Sequence, residues 1–230
     1  MKLACYALTP LLLVSSAIAQ SYSFNYEHFF GKDDRIGLYS EEAANRFTPA
    51  ILNALQYNTL LMNCGTSGKP STAFVAQTQQ GSRIISAAHN LTMAEAKNRD
   101  CKLGKAILPA GRASSLFQNN GTLDDAAHDI AQWPNITKRK GFRICETLEL
   151  SSKIVLVQSM DGDGRLGISP FCKVKSMKDT LLKTTCRGHY KASGAPLLAV
   201  TDESICAAGV FNAHSGRRFE YESYAAKLSP

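Results

Sequence analysis

The apolar positions of this chain fall into short runs that are separated by polar and turn-forming residues. Eight such runs predict β-strands, which we place at residues 59–64, 71–78, 81–88, 105–111, 143–150, 153–159, 195–201 and 204–213. Between neighbouring runs stand "QQGS" at 79–82 and "TDES" at 201–204, which predict hairpin turns. Several short strands joined by turns predict an all-β fold, either a barrel or a sandwich.

Two features interrupt this pattern. Ser40 is followed by "EEAANRF", which supplies an N-cap and acidic residues in the first turn, so we predict a short helix over residues 40–45. The stretch around Gly141, after "AQWPNITKRK", is where we expect the chain to cross between two halves.

The first 19 residues predict a cleavable secretory signal. Lys2 precedes an apolar run, and the small-residue sequence "AIA" ends that run before Gln20. The alternative is a membrane anchor, but Pro10 and two serines interrupt the run, which is shorter than the roughly 20 apolar residues of a transmembrane helix. We therefore expect a secreted protein, extracellular or periplasmic, that does not associate with the membrane after cleavage.

The cysteines support the same compartment. Of the seven in the chain, Cys5 would leave with the signal, and an even number would remain: Cys64, Cys101, Cys145, Cys172, Cys186 and Cys206. In an exported chain this predicts three disulfides, although many pairings are possible. Zinc binding is the alternative, but no Cys-x-x-Cys pair or Cys/His cluster has zinc-ligand spacing. We expect no metal and no organic cofactor.

The formal net charge is +7, and the densest basic cluster is "KRKGFR" at residues 138–143. This cluster could bind nucleic acid or another polyanion in a salt-sensitive way. It lacks interleaved aromatic residues, however, so we interpret it as a solvated loop and expect no nucleic-acid partner.

Three residues form a candidate set for nucleophilic catalysis. His89 ends the apolar run "RIISAAH", Asp129 follows in "AAHDIA", and Ser193 stands in the turn "KASGAP". A serine hydroxyl is a poor nucleophile near neutral pH, so it needs a base and a group that orients the base. The order His, Asp, Ser with a Ser-Gly-x-Pro context is one of the arrangements that supply both.

The boxes "SAAH", "DIA" and "SGAP" together resemble those of the chymotrypsin-like serine peptidases. The segment "FFGKDDRIGL" and the residues "TTCRGHYKASGAP" are similar to the secreted glutamyl-endopeptidase-like branch, and the resemblance covers residues 29–225. It implies two six-stranded antiparallel barrels, at about residues 50–138 and 139–225, with a C-terminal helix or tail. It also implies a monomer that hydrolyses peptide bonds in protein or peptide substrates.

The resemblance implies a role for each residue. His89 would be the general base and acid, Asp129 would orient it, and Ser193 would form the acyl-enzyme. Backbone N–H groups of Ser193 and Lys191 would bind the oxyanion. Lys191 stands where the family usually has glycine, and this departure favours an alternative, a catalytically inactive homologue that acts as a secreted binding module.

The substrate pocket follows from the same resemblance. Its base would include Arg187, and its wall would include Phe211, Asn212, Ala213 and His214. Because the glutamyl-specific members have histidine at the position of Phe211, we do not carry acidic specificity over. The implied disulfides are Cys64–Cys101, Cys145–Cys206 and Cys172–Cys186.

Three further histidines could take part in catalysis. His128 is adjacent to Asp129 and should face the opposite way. For His189 and His214, polar contacts are the preferred interpretation over catalysis.

Overall fold

The computed structural model of the protein describes residues 33–64, 70–92, 100–109, 112–115, 127–160, 164–189, 191–217 and 220–230, so the predicted signal lies outside the described residues. Within these ranges the helices are α1 (Glu41–Arg46), α2 (Pro49–Asn58) and α3 (His89–Thr92). The strands, in chain order, are β1 (Ile36–Gly37), β2 (Thr59–Cys64), β3 (Ser71–Thr78), β4 (Gly81–Ser86), β5 (Cys101–Leu103), β6 (Ala106–Leu108), β7 (Ser114–Ser115), β8 (Ala131–Pro134), β9 (Phe142–Ile144), β10 (Lys153–Met160), β11 (Arg165–Ile168), β12 (Cys172–Met177), β13 (Leu181–Thr184), β14 (Pro196–Val200), β15 (Ile205–Arg217) and β16 (Glu220–Lys227).

Six antiparallel strands of the second half close into a barrel. β10 pairs with β12 and β14, β12 with β13, β13 with β16, and β16 with β15, which returns to β14. Closure gives every strand two paired edges, which removes the edges through which sheets associate. The barrel is filled by side chains that include Ile154, Leu156, Leu182 and Leu197, all fully buried.

Seven strands of the first half follow the order β6-β5-β2-β3-β4-β8-β7. The first six residues of β3 are buried, which fits a strand covered on both faces. Met62, Val75, Ile84 and Trp133 fill a separate core on this side. Together with the closed barrel, these strands confirm the all-β, chymotrypsin-like double-barrel architecture, and the chain ends after β16 in a short tail rather than in a helix.

β9 joins the two halves. It pairs in parallel with β3 on one side and with β15 on the other. Gly141, directly before it, has φ +88°, and a Cβ there would lie 3.0 Å from the backbone of Val75 and Ala76. Both observations require glycine where the chain crosses, as the sequence predicts. The division of the chain at residues 138–139 stays a prediction.

The predicted helix near residue 40 is confirmed as α1. Ser40 is its N-cap and accepts a hydrogen bond from the backbone N–H of Ala43 at 3.2 Å. The strand predictions at 59–64 and 71–78 are confirmed with the same bounds. The strand predicted at 143–150 is much shorter, because β9 ends at Ile144 and most of the following residues are exposed.

Three disulfides cross-link the two halves internally. Cys64 is bonded to Cys101 in the first half, and the second half contains the pairs Cys145–Cys206 and Cys172–Cys186. The pairings implied by the resemblance are therefore confirmed. Each bond stabilises the fold by roughly 3 kcal/mol, largely by restricting the unfolded chain. Among the described residues, no helix has the length and apolar character to span a membrane.

Candidate active site

His89 and Asp129 form a closely bonded pair. His89 opens α3, directly after β4 and two buried alanines, and Asp129 comes just before β8. Because β4 and β8 pair antiparallel, with Ser86 opposite Ala131, the sheet brings together two residues that are 40 positions apart. The carboxylate of Asp129, which is only 3% exposed, accepts from the His89 backbone N–H at 2.7 Å and lies 2.5 Å from Nδ1.

Both oxygens of Asp129 are thus used on the same histidine. Oδ1 fixes the backbone and Oδ2 fixes the ring, so neither the position nor the rotation of the imidazole is left free. A carboxylate on Nδ1 holds the proton there and leaves Nε2 as the basic nitrogen. The His89 side chain remains 24% exposed, which keeps one side of the ring accessible.

Ser193 lies in a tight turn that leads into β14. The Ala195 N–H donates to the Ala192 carbonyl at 2.9 Å, and Gly194 has φ +85°. A Cβ on Gly194 would lie 2.1 Å from Ser86 Oγ and 2.2 Å from the Thr72 carbonyl oxygen. Glycine is therefore required here for both conformation and space, and the turn packs directly onto β3 and β4 of the first half.

Hydrogen bonds connect this turn to β3 and to the histidine segment. The Ser193 carbonyl accepts from the Thr72 N–H at 3.3 Å and from Asn90 Nδ2 at 3.2 Å. Asn90 directly follows His89, is 6% exposed, and also donates to Ser86 Oγ at 3.2 Å. The sequence analysis does not identify Asn90 as a residue of the site. Its polarity next to buried alanines was the signal that could have revealed this link.

The predicted oxyanion segment has an unusual backbone. Lys191 has φ +68°, one of two positive values among the described residues other than glycine. The N–H of Ala192 donates to the His189 carbonyl at 2.9 Å, and Gly194 donates to the Phe211 carbonyl at 2.8 Å. Lysine thus adopts the left-handed conformation that glycine would adopt freely, at a cost of about 1–2 kcal/mol.

The predicted pocket residues lie on two segments beside the turn. Phe211 and Asn212 are buried in β15, at 2% and 7% exposure. Ala213 and His214 continue β15 opposite Tyr224 and Ser223, but their side chains lie outside the described residues. The Arg187 side chain is 48% exposed, and its Nη1 lies 3.8 Å from Asp34 Oδ2.

An acidic N-terminal segment contacts the chain ahead of Ser193, which sequence reasoning missed. Arg35 has a fully buried side chain that donates to both oxygens of Asp33 and to the Ser159 carbonyl. The hydrogen bonds from Arg35 hold the pKa of Asp33 below its usual range, with a smaller contribution from the nearby charge of His189. His189 Nε2 lies 3.9 Å from Asp33 Oδ1, and its backbone N–H donates to Gln158.

Two other predicted features lie away from this arrangement. His128 is exposed, as expected for a residue that faces away from the site. In the basic cluster, the Arg139 guanidinium stacks over the Tyr57 ring at 5.1 Å and donates to the Tyr57 carbonyl. Lys138 and Lys140 beside it are exposed.

Comparison with known proteins finds similar structures but no similar sequences. No family model and no curated protein matches the sequence. The serine protease domain of the Sesbania mosaic virus polyprotein is similar with a TM-score of 0.52 and 11% identity, covering 73% of this chain and 87% of that one. The MamO protease domain from Magnetospirillum magneticum has a TM-score of 0.52 and 15% identity, covering 76% and 93%.

A serine endoprotease from Yersinia pestis has a TM-score of 0.54 and 12% identity, covering 76% of this chain and 61% of that one. The chain has the chymotrypsin-like fold. At these identities the likeness establishes the fold, and the chemistry has to be argued from the residues of this chain.

Proposed function

We propose that the protein is a serine endopeptidase that uses His89, Asp129 and Ser193 as its catalytic residues. The observation that carries this proposal is the double use of the buried Asp129 carboxylate on His89. A buried carboxylate is expensive to maintain, and here it does more than cap a turn, because it sets the tautomer and the orientation of an accessible imidazole.

The reaction would proceed in two steps. His89 Nε2 takes the proton from Ser193 Oγ as that oxygen attacks the peptide carbonyl, and then passes it to the leaving amine. The acyl-enzyme on Ser193 is hydrolysed when His89 activates a water molecule in the same way. The Asn90 hydrogen bond to the Ser193 carbonyl supports this role, since it ties the serine turn to the segment that carries the base. The Thr72 N–H ties the same carbonyl to β3.

The backbone N–H groups of Ser193 and Lys191 would bind the oxyanion. The N–H groups of Ala192, Gly194 and Ala195 are already used within and around the turn, so the proposal assigns the oxyanion to the other two. The positive φ of Lys191 is the conformation that glycine adopts freely, so the lysine backbone keeps the course that a glycine would give this segment. Each oxyanion donor contributes about 3 kcal/mol to the transition state.

A fluorophosphonate probe tests the proposal. We expect covalent labelling of the purified mature protein near neutral pH, and loss of labelling in Ser193→Ala and His89→Ala. Ser176→Ala, which alters an exposed serine of β12, is the matched control and should label normally. If a protein that melts cooperatively takes up no probe, the peptidase proposal is wrong.

That outcome would favour the second candidate, an inactive homologue that acts as a secreted binding module. The lysine at position 191 is the observation that favours it, because a Cβ in the left-handed region is disfavoured where the family has glycine. Lys191→Gly separates the two functions. It should raise the labelling rate if lysine restrains an active site, and it should change nothing in an inert one.

The proposal extends to the export of the protein, its oligomeric state and its branch of the family. Export through a signal at residues 1–19, with mature protein beginning at Gln20, is supported by the three disulfides. N-terminal sequencing of protein recovered from the medium or periplasm tests it.

We also propose a monomer acting on proteins or peptides. Its place within the glutamyl-endopeptidase-like branch is supported by the motifs around Ser193.

A further inference from the structure

Two segments lie beside Ser193, and their side chains limit which substrate side chains can approach it. One comprises residues 186–189 and 191–192, which precede the serine, and the other is β15, which is hydrogen-bonded to the serine turn. Phe211 of β15 is fixed to the turn by two backbone hydrogen bonds: the Gly194 N–H donates to its carbonyl at 2.8 Å, and its own N–H donates to the Ala195 carbonyl at 2.9 Å. A substrate carbonyl at Ser193 therefore brings the neighbouring side chain to these two segments.

The ring of Phe211 occupies the space between them. A Cβ built on Gly188 would lie 2.0 Å from Phe211 Cζ and 2.4 Å from Cε1, so the edge of the ring rests directly on the Gly188 backbone. The ring is 2% exposed and belongs to a core cluster with Ala192, Ala195 and Cys186. At this packing density a second large side chain cannot share the same space.

The neighbouring charge does not create a site for an acidic side chain. The guanidinium of Arg187, the residue before Gly188, is half-exposed and lies next to the carboxylate of Asp34. The Arg187 carbonyl accepts from Gln158 Nε2 at 3.1 Å, which fixes the backbone at this point. An acidic substrate group would have to compete with Asp34 for that cation.

We propose that Phe211 restricts the substrate pocket to small, uncharged side chains, such as those of glycine, alanine and serine, on the acyl side of the scissile bond. This inference rests on the proposed function. Phe211 is a specificity-determining residue in it, and replacing the ring by a smaller side chain opens an apolar cavity that a larger substrate side chain fills.

Ester hydrolysis tests the preference. With N-acyl-alanine and N-acyl-phenylalanine p-nitrophenyl esters, the unaltered protein should have the higher kcat/KM on the alanine ester. In Phe211→Ala the ratio should shift by at least about tenfold toward the phenylalanine ester. Phe142→Ala is the matched control, because it removes the same side chain at the same 2% exposure on β9 and should leave the ratio unchanged.

The contact itself has an independent test that needs no activity. Gly188→Ala should lower the melting temperature strongly when Phe211 is present, because the new methyl group overlaps the ring atoms Cζ and Cε1. The loss should be much smaller in the Phe211→Leu background, because leucine lacks these ring atoms. Equal losses in both backgrounds would overturn the packing on which the inference rests. Phe211→Leu also serves for the ester assay if Phe211→Ala does not fold.

The outcomes separate this inference from the proposed function. A protein whose Ser193 is labelled by fluorophosphonate but which prefers the phenylalanine ester, or whose ratio does not change in either Phe211 variant, would overturn the specificity inference alone. A folded protein that neither takes up the probe nor hydrolyses either ester would overturn the proposed function itself.

Discussion

The two sides of the candidate site are held by different kinds of interaction. On the first side, His89 is fixed by a side chain, the buried carboxylate of Asp129. On the second side, the Ser193 turn is fixed by its own backbone hydrogen bonds and by the close approach of Gly194 to Ser86 and Thr72. Removing the restraint on the first side should therefore act mainly on chemistry, and disturbing the packing of the turn on the second side should act mainly on folding.

The sharpest test of this contrast is Asp129→Asn. The amide has nearly the same size and can still accept one hydrogen bond, but its NH₂ group cannot hold the proton on His89 Nδ1, so the wrong tautomer is favoured. We expect kcat for ester hydrolysis to fall by about 10⁴ while the fold is kept. Asp202→Asn, at an exposed turn, is the control for losing one negative charge.

A fall in kcat of less than roughly tenfold, in a protein that melts normally, would show that Asp129 does not set the tautomer of the base. The first side would then be a structural contact like the second.

The converse test is Gly194→Ala. The new methyl group would overlap Ser86 Oγ and the Thr72 carbonyl, and the residue would keep a positive φ. Overpacking and left-handed strain together should cost about 2–5 kcal/mol of the free energy of unfolding, measured by urea denaturation. Gly81→Ala has a similar φ of +92° but open space around it, so it should cost only about 1–2 kcal/mol.

If the two glycine variants lost the same stability, the close packing of the turn on the first half would contribute nothing. The loss of stability in Gly194→Ala would then come from the left-handed backbone conformation alone.

The same contrast explains what the sequence could predict. The strand predictions at residues 59–64 and 71–78 are confirmed because their apolar runs are bounded by turn residues in the sequence and because none of their residues is exposed. His89, Asp129 and Ser193 were recognisable because chemistry requires those residue types in local motifs. The pairing of β4 with β8, which joins the first two, is a long-range event that no local pattern encodes.

Other elements escaped prediction for identifiable reasons. Helix α2 has Thr48 as N-cap and Pro49 in its first turn, which are start signals that the sequence contains, and Ile51 and Leu55 are buried on one face. β12 has alternating lysines, "CKVKSM", which hide its apolar positions. The contact of Phe211 with Gly188 depends on two segments that meet only in the folded barrel, so periodicity could not reveal it.

Asn90→Ala probes the hydrogen bonds that join the two sides. The variant leaves Ser86 Oγ and the Ser193 carbonyl without this donor, which should cost about 1–3 kcal/mol of stability. Because the serine turn loses a restraint, kcat should fall more than KM rises. Asn135→Ala, which removes a similarly hydrogen-bonded amide far from the turn, should reduce stability and leave kcat unchanged. A parallel loss of kcat in both variants would mean that Asn90 acts only through general stability.

The smallest expected effect is on the pH dependence of stability, through the acidic segment at Asp33–Arg35 that contacts the chain before Ser193. Arg35 lowers the pKa of Asp33 in the folded protein, so the folded state binds a proton at this group less readily than the unfolded chain does. Its stabilisation is present above the ordinary aspartate pKa of about 3.9 and is lost as the pH falls through the lower folded value. Because the Asp33 side chain is 41% exposed, the effect should be modest.

Urea denaturation at a series of acidic pH values should show a shallower loss of stability in Asp33→Asn than in the unaltered protein, with Asp202→Asn as the control for charge. An identical slope in Asp33→Asn would show that the buried Arg35 is held by its bond to the Ser159 carbonyl rather than by Asp33.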